Sequence, residues 1–280
     1  MKTPLVLAFF ALCASAFAGD PFPFFAMDTA YHGNPAGQIL DVTKTNGFDG
    51  VGGTLGNPDA VKATADDCAK RGLKLFAVYG GAKLSREKLE VQKGAFDVLP
   101  LLKDSGTIIW LHIDSGTNFP RSSAEGDEIA VPALREFADA AKSNGLRVAI
   151  YPHVGNWTER VQDCVRVAKK VDRENFGATF NLCHCLMVGD EAKIPELLAE
   201  AAPKLFVVTI NGADAGAGGT TWQRLIQPLD QGTYDVGIVL RKLRELNWRG
   251  PIGVQAYGIK LPTEEILVHG GTGWKKLNAP

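Results

Sequence analysis

The stretch Phe176 to Leu186 reads FGATFNLCHCL and contains the pattern that decides the fold. An apolar run typical of a buried strand ends abruptly in polar residues, among them Asn181 and His184. We therefore predict a core strand that runs out into a loop and delivers polar side chains to one place. Polar groups that converge at the end of a buried strand are typical of a ligand pocket.

On both sides of this run, short apolar stretches alternate with segments whose apolar residues recur at helical spacing. Most of the predicted helices end near a glycine, which adopts the left-handed cap conformation at little cost. These helix ends are Asn46-Gly47, Arg71-Gly72, Asn144-Gly145 and Arg249-Gly250-Pro251. The predicted strands are Phe24 to Met27, Phe48 to Val51, Leu73 to Tyr79, Thr107 to Ile113, Leu146 to Tyr151, Phe176 to Phe180, Leu205 to Ile210 and Pro251 to Val254.

About eight such strand–helix units on roughly 250 residues, with no linker-like change in composition, predict a single (β/α)8 TIM barrel. An open doubly wound sheet is the alternative fold. No Gly-x-Gly-x-x-Gly motif follows the first predicted strand, which weakens a dinucleotide-binding version of that sheet. In a barrel, the residues at the carboxyl ends of the strands face a common mouth, so these residues are the candidates for function.

The charge balance favours a small-molecule ligand. The 280 residues carry 30 Lys and Arg against 31 Asp and Glu, a net charge of -1. A nucleic-acid surface normally needs a basic excess or stripe, so we expect no nucleic-acid partner. The composition does not indicate an oligomeric state.

The first eighteen residues have the features of a secretory signal. Lys2 precedes an apolar run from Leu5 to Leu12, which Ala16-Phe17-Ala18 follows as a cleavage site. This predicts a signal peptide over residues 1–18, a barrel domain over 19–280, and a secreted or periplasmic protein with no membrane contact after cleavage. The alternative is a buried N-terminal strand.

The remaining cysteines do not predict a disulfide or a zinc site. Cys68 and Cys164 lie at apolar helical positions and are expected in the core. Cys183 and Cys185 alternate on the predicted strand end, so they would point to opposite faces and could not pair with each other. With only one histidine beside them, they offer too few ligands for zinc.

Polar residues follow nearly every predicted strand. Some have ordinary structural alternatives: Asp28 could cap a turn, His112 could be a hydrogen-bonded core residue, and Asn211-Gly212 is a common turn pair. Taken together, they predict a pocket at the mouth of the barrel. The candidates are Asp28, His112, Tyr151, His153, Asn181, His184, Asn211, Gln255 and Tyr257.

Three of these stretches carry a resemblance to a known family. FNLCH on the sixth predicted strand, YPHVGNW after the fifth and GVQAYGI on the eighth resemble the xylose isomerase-like barrels. That family includes sugar and sugar-phosphate isomerases and epimerases and the endonuclease IV enzymes. The resemblance covers essentially the whole chain after residue 18 and implies a metal-assisted proton transfer on a sugar.

The sequence departs from the family at each position that the resemblance assigns to a metal ligand. Tyr151 stands in place of Glu, Asn181 in place of Asp, and Gln255 in place of Glu. Thr209, or Asn211 if the register shifts, stands in place of His. Neutral amides and hydroxyls are weak ligands for divalent cations, so we expect no metal ligands and no cofactor.

A residual divalent site is the alternative to a metal-free mouth. It would combine His153 and His184 with one carboxylate, from Asp28, Asp114 or Asp214.

We therefore expect a sugar isomerase- or epimerase-like enzyme that acts on a sugar or a related polyhydroxy compound. His153 and His184 are the predicted catalytic residues for proton transfer, with amide hydrogen bonds from Asn181 and Gln255 to the developing oxyanion. The other candidates, Tyr151 and Tyr257 among them, are predicted to bind the carbohydrate. Two alternatives are a catalytically inactive carbohydrate-binding barrel and a lyase that acts on an oxidised glycoside.

Overall fold

A computed structural model describes residues 22–279. The predicted signal segment, residues 1–18, lies outside this range. Eight parallel strands close into a barrel in the order β1, β2, β3, β5, β6, β7, β8, β9, with β9 paired to β1. The strands are β1 Phe24–Ala26, β2 Gly50–Thr54, β3 Lys74–Leu84, β4 Leu89–Val91, β5 Ile108–Asp114, β6 Arg147–Ile150, β7 Phe176–Asn181, β8 Leu205–Ile210 and β9 Ile252–Val254.

Helices surround the barrel and connect its strands, so the predicted single (β/α)8 TIM barrel is confirmed. The helices are α1 Gln38–Thr45, α2 Pro58–Lys70, α3 Val98–Leu101, α4 Asp127–Ser143, α5 Val161–Val171, α6 Leu182–Met187, α7 Ile194–Ala201, α8 Trp222–Leu225, α9 Gly237–Glu245 and α10 Thr263–Leu277. Across the described part of the chain, no helix combines the length and apolar character needed to cross a membrane.

Two apolar layers hold the barrel together. Alternate strand residues such as Phe176, Ala178 and Phe180 pack outward against the helices, because successive side chains of a strand point to opposite faces. The others point inward, where Phe25 and Trp110 fill the barrel, with ring centroids 5.8 Å apart. The interior is therefore a packed core that closes the barrel below its mouth.

Three of the four predicted glycine caps are present. Gly47, Gly72 and Gly145 have φ of 83°, 67° and 67° after α1, α2 and α4. The prediction was wrong for the fourth cap, since Asn247 takes the left-handed conformation after α9, with φ of 53°. Asparagine tolerates this conformation because its short polar side chain bonds locally.

The third barrel strand is longer than predicted. It continues past Tyr79 through Gly80 and Gly81 to Leu84, where the antiparallel β4 pairs with it. Glycine is required at position 81, because a Cβ there would lie 2.6 Å from His112 Nε2 on the neighbouring β5. Gly81 therefore makes room for the His112 ring, and Gly80 makes room for Leu55, whose Cδ2 would lie 2.7 Å from a Cβ at position 80.

The segment after β7 is a helix, and the predicted loop was wrong. Asn181 caps α6 by accepting the His184 backbone N–H at 3.1 Å, a bond typical of an asparagine N-cap. Cys183 and Cys185 consequently lie in this helix and do not alternate on a strand. Both are buried free thiols, as are Cys68 and Cys164 in the predicted core positions.

We expect Gly253→Ala to destabilise the barrel. A Cβ at position 253 on β9 would lie 2.6 Å from Phe25 Cζ in the filled interior, and overpacking of this kind costs about 1–3 kcal/mol. Urea unfolding measures the free energy of unfolding. Gly56→Ala is the matched control, because its Cβ would meet nothing within 4 Å, and should change stability by less than about 0.5 kcal/mol. Equal stability of the two variants would contradict this account.

Candidate functional site

A cavity of ≈ 400 Å³ opens at the carboxyl ends of the strands, within the size range of small-molecule sites. It is lined by Met27, Asp28, Thr29, Thr54, Tyr79, Tyr151, His153, Cys183, His184, Trp222, Ile226, Gln255 and Tyr257. The predicted residues found there are Asp28, Tyr151, His153, His184, Gln255 and Tyr257. The barrel therefore brings together residues from the ends of β1, β6, β7 and β9.

Three polar side chains form what we call the phenol–amide cluster: Tyr151 and Gln255 line the floor of this cavity, and Asn181 lies beneath it. The Asn181 side-chain nitrogen donates to the Tyr151 hydroxyl oxygen. Gln255 Nε2 donates to the same oxygen at 3.2 Å. All three side chains are buried, and β6, β7 and β9 are linked through one phenol oxygen.

Backbone N–H groups fix the orientation of both amides. Asn181 Oδ1 accepts the α6 cap bond described above. Gln255 Oε1 accepts the backbone N–H groups of Ala256 and Tyr257, each at 3.0 Å, and the hydroxyl of Thr29 at 2.6 Å. Because each amide oxygen is held in this way, each amide nitrogen must face Tyr151 as a donor.

The two cavity histidines have opposite tautomers, set by one residue between them. His153 Nδ1 lies 2.9 Å from the carbonyl oxygen of Val154, which only accepts, so this nitrogen carries the proton. His184 Nδ1 accepts the N–H of Val154 at 3.3 Å, so its proton is on Nε2. His153 therefore keeps a free lone pair on Nε2, whereas His184 presents a donor.

Burial favours the neutral form of both rings. Burial lowers the pKa of His184 to about 3, and the neighbouring His153 lowers it further. Burial also lowers the pKa of His153 below its ordinary value. The two ring centroids are 4.5 Å apart. The geometry thus gives the two predicted proton-transfer residues different roles: His153 has the acceptor of a base, and His184 has the donor of a polarising group.

Asp28 lies on the opposite wall of the cavity. Its strand, β1, is four strands from β6 in either direction around the barrel. The carboxylate accepts a hydrogen bond from the Thr54 hydroxyl at 2.9 Å. Burial raises the pKa of Asp28 to about 6, although this hydrogen bond lowers it. A carboxyl with such a pKa exchanges protons readily near neutral pH.

Three predicted residues do not line this cavity. Asn181 lies beneath it in the phenol–amide cluster. His112 stacks on Tyr79 at 5.2 Å between ring centroids and accepts a hydrogen bond from Asn156, on the wall of a neighbouring cavity. Asn211 is fully buried and donates to the carbonyl oxygens of Gly212 and Leu225. It holds the loop after β8 in place.

Trp222 lines the cavity, although the sequence patterns did not predict it there. It begins the short helix α8 and packs edge-on against His184, with 5.3 Å between ring centroids. The stretch before it, residues 213–221, is mostly glycine, alanine and threonine. A single large aromatic residue after such a loop is a signal that could have placed Trp222 at the mouth, because loops after barrel strands form the site.

The residues present do not fit a divalent metal. At the positions that the resemblance assigns to ligands, the amide oxygens are already bonded to N–H groups and the amide nitrogens present hydrogens to Tyr151. A cation there would face donors, whereas it requires lone pairs. Asp214 pairs with Arg224 at 3.1 Å. Within residues 22–279, no three His, Cys, Asp or Glu side chains are grouped to hold a metal ion.

Comparisons with known proteins agree with this fold. The family model described as Xylose isomerase-like TIM barrel matches residues 40–276. No curated protein sequence matches the chain. Similar solved structures include the IolI protein with a binding zinc atom, at 17% identity and a TM-score of 0.71, over 91% of this chain and 97% of that chain.

Two epimerases have the same fold. The 3-keto-D-glucoside 4-epimerase YcjR from E. coli is 18% identical, with a TM-score of 0.66, over 91% of this chain and 99% of that one. A D-psicose 3-epimerase, solved in the presence of D-fructose, is 12% identical, with a TM-score of 0.69, over 91% and 98%. At these identities the similarity shows a shared fold.

We expect the buried His184 to make stability fall in acid. The unfolded histidine binds a proton near pH 6.5 and the folded one near pH 3. Between these values the unfolded state binds more protons, so the free energy of unfolding decreases as the pH is lowered. From pH 7.5 to 4.5 the loss should be about 2–3 kcal/mol. His112, with a pKa lowered to about 4, acts in the same direction, and Asp28 opposes it.

His184→Asn isolates this contribution, because the asparagine oxygen can still accept the Val154 N–H. Urea unfolding of both proteins at pH 7.5 and 4.5 measures the difference. The wild type should lose about 2 kcal/mol more than the variant. Equal losses would show that His184 is not buried as a neutral ring.

We expect the purified protein to contain no stoichiometric zinc, manganese or magnesium, because the phenol–amide cluster presents hydrogens where a cation needs lone pairs. Elemental analysis before and after dialysis against a chelator, with the melting temperature followed alongside, checks this. A stoichiometric metal whose removal lowers the melting temperature would contradict the donor assignment.

Proposed function

Because this chain belongs to the xylose isomerase-like TIM barrel family, we propose that it is an epimerase that inverts a carbon next to a carbonyl group in a sugar or a related polyhydroxy compound. One observation carries the proposal. His153, a neutral base, and Asp28, a carboxyl whose pKa is raised to about 6, line opposite walls of one cavity. Inversion at carbon requires a proton to leave from one face and arrive at the other.

The proton balance follows from these two groups. His153 Nε2 takes the proton from the carbon, and the electrons of the broken C–H bond form the enediolate, whose negative charge lies on the former carbonyl oxygen. The Asp28 carboxylic acid then gives its proton to the other face of that carbon. The product is the epimer, with His153 protonated and Asp28 ionised, and exchange with solvent restores both.

Other residues around the cavity suit a polyhydroxy ligand. Trp222 and Tyr257 provide aromatic faces at the mouth, and Thr29 and Thr54 provide hydroxyl groups beside Asp28. Aromatic faces pack on the C–H surface of a sugar while hydroxyl groups bond its oxygens. His184 Nε2–H is a further donor for the carbonyl oxygen.

The predicted signal segment supports action outside the cytoplasm on an unphosphorylated substrate. The cavity agrees with this, because the described residues that line it include no lysine or arginine to hold a phosphate.

A carbohydrate-binding barrel without activity is the second candidate. It is favoured by the replacement of the charged and imidazole ligands of the family by neutral side chains in this sequence. A lyase acting on an oxidised glycoside would begin with the same proton abstraction and would release a leaving group, which product analysis distinguishes from epimerisation.

We expect the two variants His153→Asn and Asp28→Asn to separate the two faces of the reaction. Each should abolish epimer formation. In D₂O, however, each variant should still exchange the carbon-bound hydrogen of one epimer, the one whose C–H faces the remaining group. Because one proton-transfer group contributes about 10²–10⁴-fold, the other epimer should lose exchange by that factor.

Proton NMR in D₂O measures this exchange for two epimer pairs suggested by the similar epimerases, D-psicose with D-fructose and a 3-keto-D-glucoside with its 4-epimer. Lys62→Ala is the matched control, since its Asp66 ion pair is exposed on α2 and away from the cavity, and it should leave exchange unchanged. Tight binding of a sugar by the wild type without exchange would replace epimerisation by the binding-only function.

A further inference from the structure

The Tyr151 hydroxyl has a proton without a protein acceptor. Its oxygen accepts from Asn181 and Gln255. Neither amide can turn to accept in return, because each amide oxygen is held by backbone N–H groups. In the part of the chain that the structure describes, residues 22–279, the hydroxyl donates to no side chain or carbonyl oxygen.

The hydroxyl is nonetheless well placed to donate. Tyr151 is 1% exposed and lines the cavity floor, so a ligand in the cavity can supply the acceptor that the protein does not. The ring is fixed by its neighbours, with centroid distances of 5.0 Å to Tyr79, 5.5 Å to Trp110 and 5.8 Å to His184. A buried donor held in one orientation loses little entropy when a ligand binds.

We infer that the Tyr151 hydroxyl is a catalytic hydrogen-bond donor to the enediolate oxygen, and that the phenol–amide cluster takes the place of a metal in stabilising that charge. This inference rests on the proposed function, since it concerns the oxyanion that His153 would create. The proton stays on Tyr151 throughout, so no bond forms or breaks at the phenol.

The cluster strengthens this donor. Two N–H groups that donate to the phenol oxygen withdraw charge from it and polarise its O–H bond, an effect that accumulates along a chain of hydrogen bonds. Burial raises the pKa of Tyr151 well above its ordinary value, so the phenol keeps its proton at neutral pH. His184 Nε2–H supplies a second donor from the adjoining wall, and a pair of fixed donors is the usual form of an oxyanion site.

The sequence predicts that the amides of Asn181 and Gln255 donate directly to the oxyanion, and this prediction was wrong. The structure shows that the amide nitrogens are bonded to the phenol. Asn181 and Gln255 therefore act through Tyr151 as positioning residues.

Binding of an enediolate analogue tests the inference without a known substrate. The probe is threonohydroxamic acid, a four-carbon polyhydroxy compound whose anion carries charge on two coplanar oxygens. Threonamide, with the same hydroxyl groups and no such anion, is the matched neutral probe. Isothermal titration calorimetry at pH 7.5 compares the wild type with Tyr151→Phe. A hydrogen bond to a charged group is worth about 1.5–3 kcal/mol, so the variant should bind the hydroxamate about 10- to 100-fold more weakly.

Threonamide should lose less affinity than the hydroxamate in Tyr151→Phe, about 2- to 10-fold, because a hydrogen bond between neutral groups contributes only about 0.5–1.5 kcal/mol. A purely structural role of Tyr151 would weaken both probes alike, and that result overturns the inference. Unchanged hydroxamate affinity in the variant, or no hydroxamate binding by the wild type, overturns it as well.

Tyr151→Phe leaves two buried N–H groups without their acceptor and could unfold the protein. A second measurement covers this case. Site-specific replacement of Tyr151 by 3-fluorotyrosine keeps the acceptor and makes the O–H a stronger donor, so hydroxamate affinity should rise several-fold while threonamide affinity stays constant. A constant ratio of the two affinities in the fluorinated protein contradicts the inference.

The outcomes also separate this inference from the proposed function. If hydrogen exchange requires His153 and Asp28 and is unaffected by Tyr151→Phe, the oxyanion role fails and the epimerase proposal stands. If no sugar undergoes exchange but hydroxamate selectivity depends on Tyr151, the proton-transfer proposal fails and the oxyanion site stands.

Discussion

The orientation of two buried amides is the constraint on which the mouth of the barrel depends. The side-chain oxygens of Asn181 and Gln255 accept hydrogen bonds from backbone N–H groups, so both side-chain nitrogens point to Tyr151. A buried N–H without an acceptor costs about 1–3 kcal/mol, so removal of the phenol oxygen would destabilise the folded protein. The same bonds cap α6 and fix the chain after β9. The floor of the site and its supporting elements are therefore one hydrogen-bonded unit.

This unit explains why a family fold can persist after its ligand positions have changed. A metal would connect the ends of several strands through its ligands, and here one phenol oxygen connects β6, β7 and β9. The charge of the site changes as well. Among the described residues that line the cavity, Asp28 is the single carboxylate, and no lysine or arginine accompanies it. Dipoles of fixed direction replace a cation and its anions, which avoids the desolvation of several buried charges.

The barrel and most of its mouth could be predicted from the sequence, because strand and helix periodicity are local properties that repeat along the chain. The tautomers of His153 and His184 could not, since they depend on the N–H and C=O of Val154 meeting rings from two different strand ends. Helix α6 was missed because the residues after Phe180 were interpreted as a loop, although an asparagine before an apolar run is also a helix cap. Asn211 was predicted at the mouth because it follows β8, whereas its hydrogen bonds to the carbonyl oxygens of Gly212 and Leu225 place it in the loop packing.

A cavity with so little charge strengthens each hydrogen bond made inside it. Water-like screening is lost when a site is buried, so a fixed O–H or N–H acts on a developing oxyanion more strongly than the same group would in water. Neutral histidines suit this environment, because burial disfavours the charged form of an imidazole. Val154 fixes the tautomers of both rings, because its carbonyl oxygen accepts from His153 Nδ1 and its N–H donates to His184 Nδ1. The chain thus obtains an acceptor and a donor from two identical side chains, without placing any charge between them.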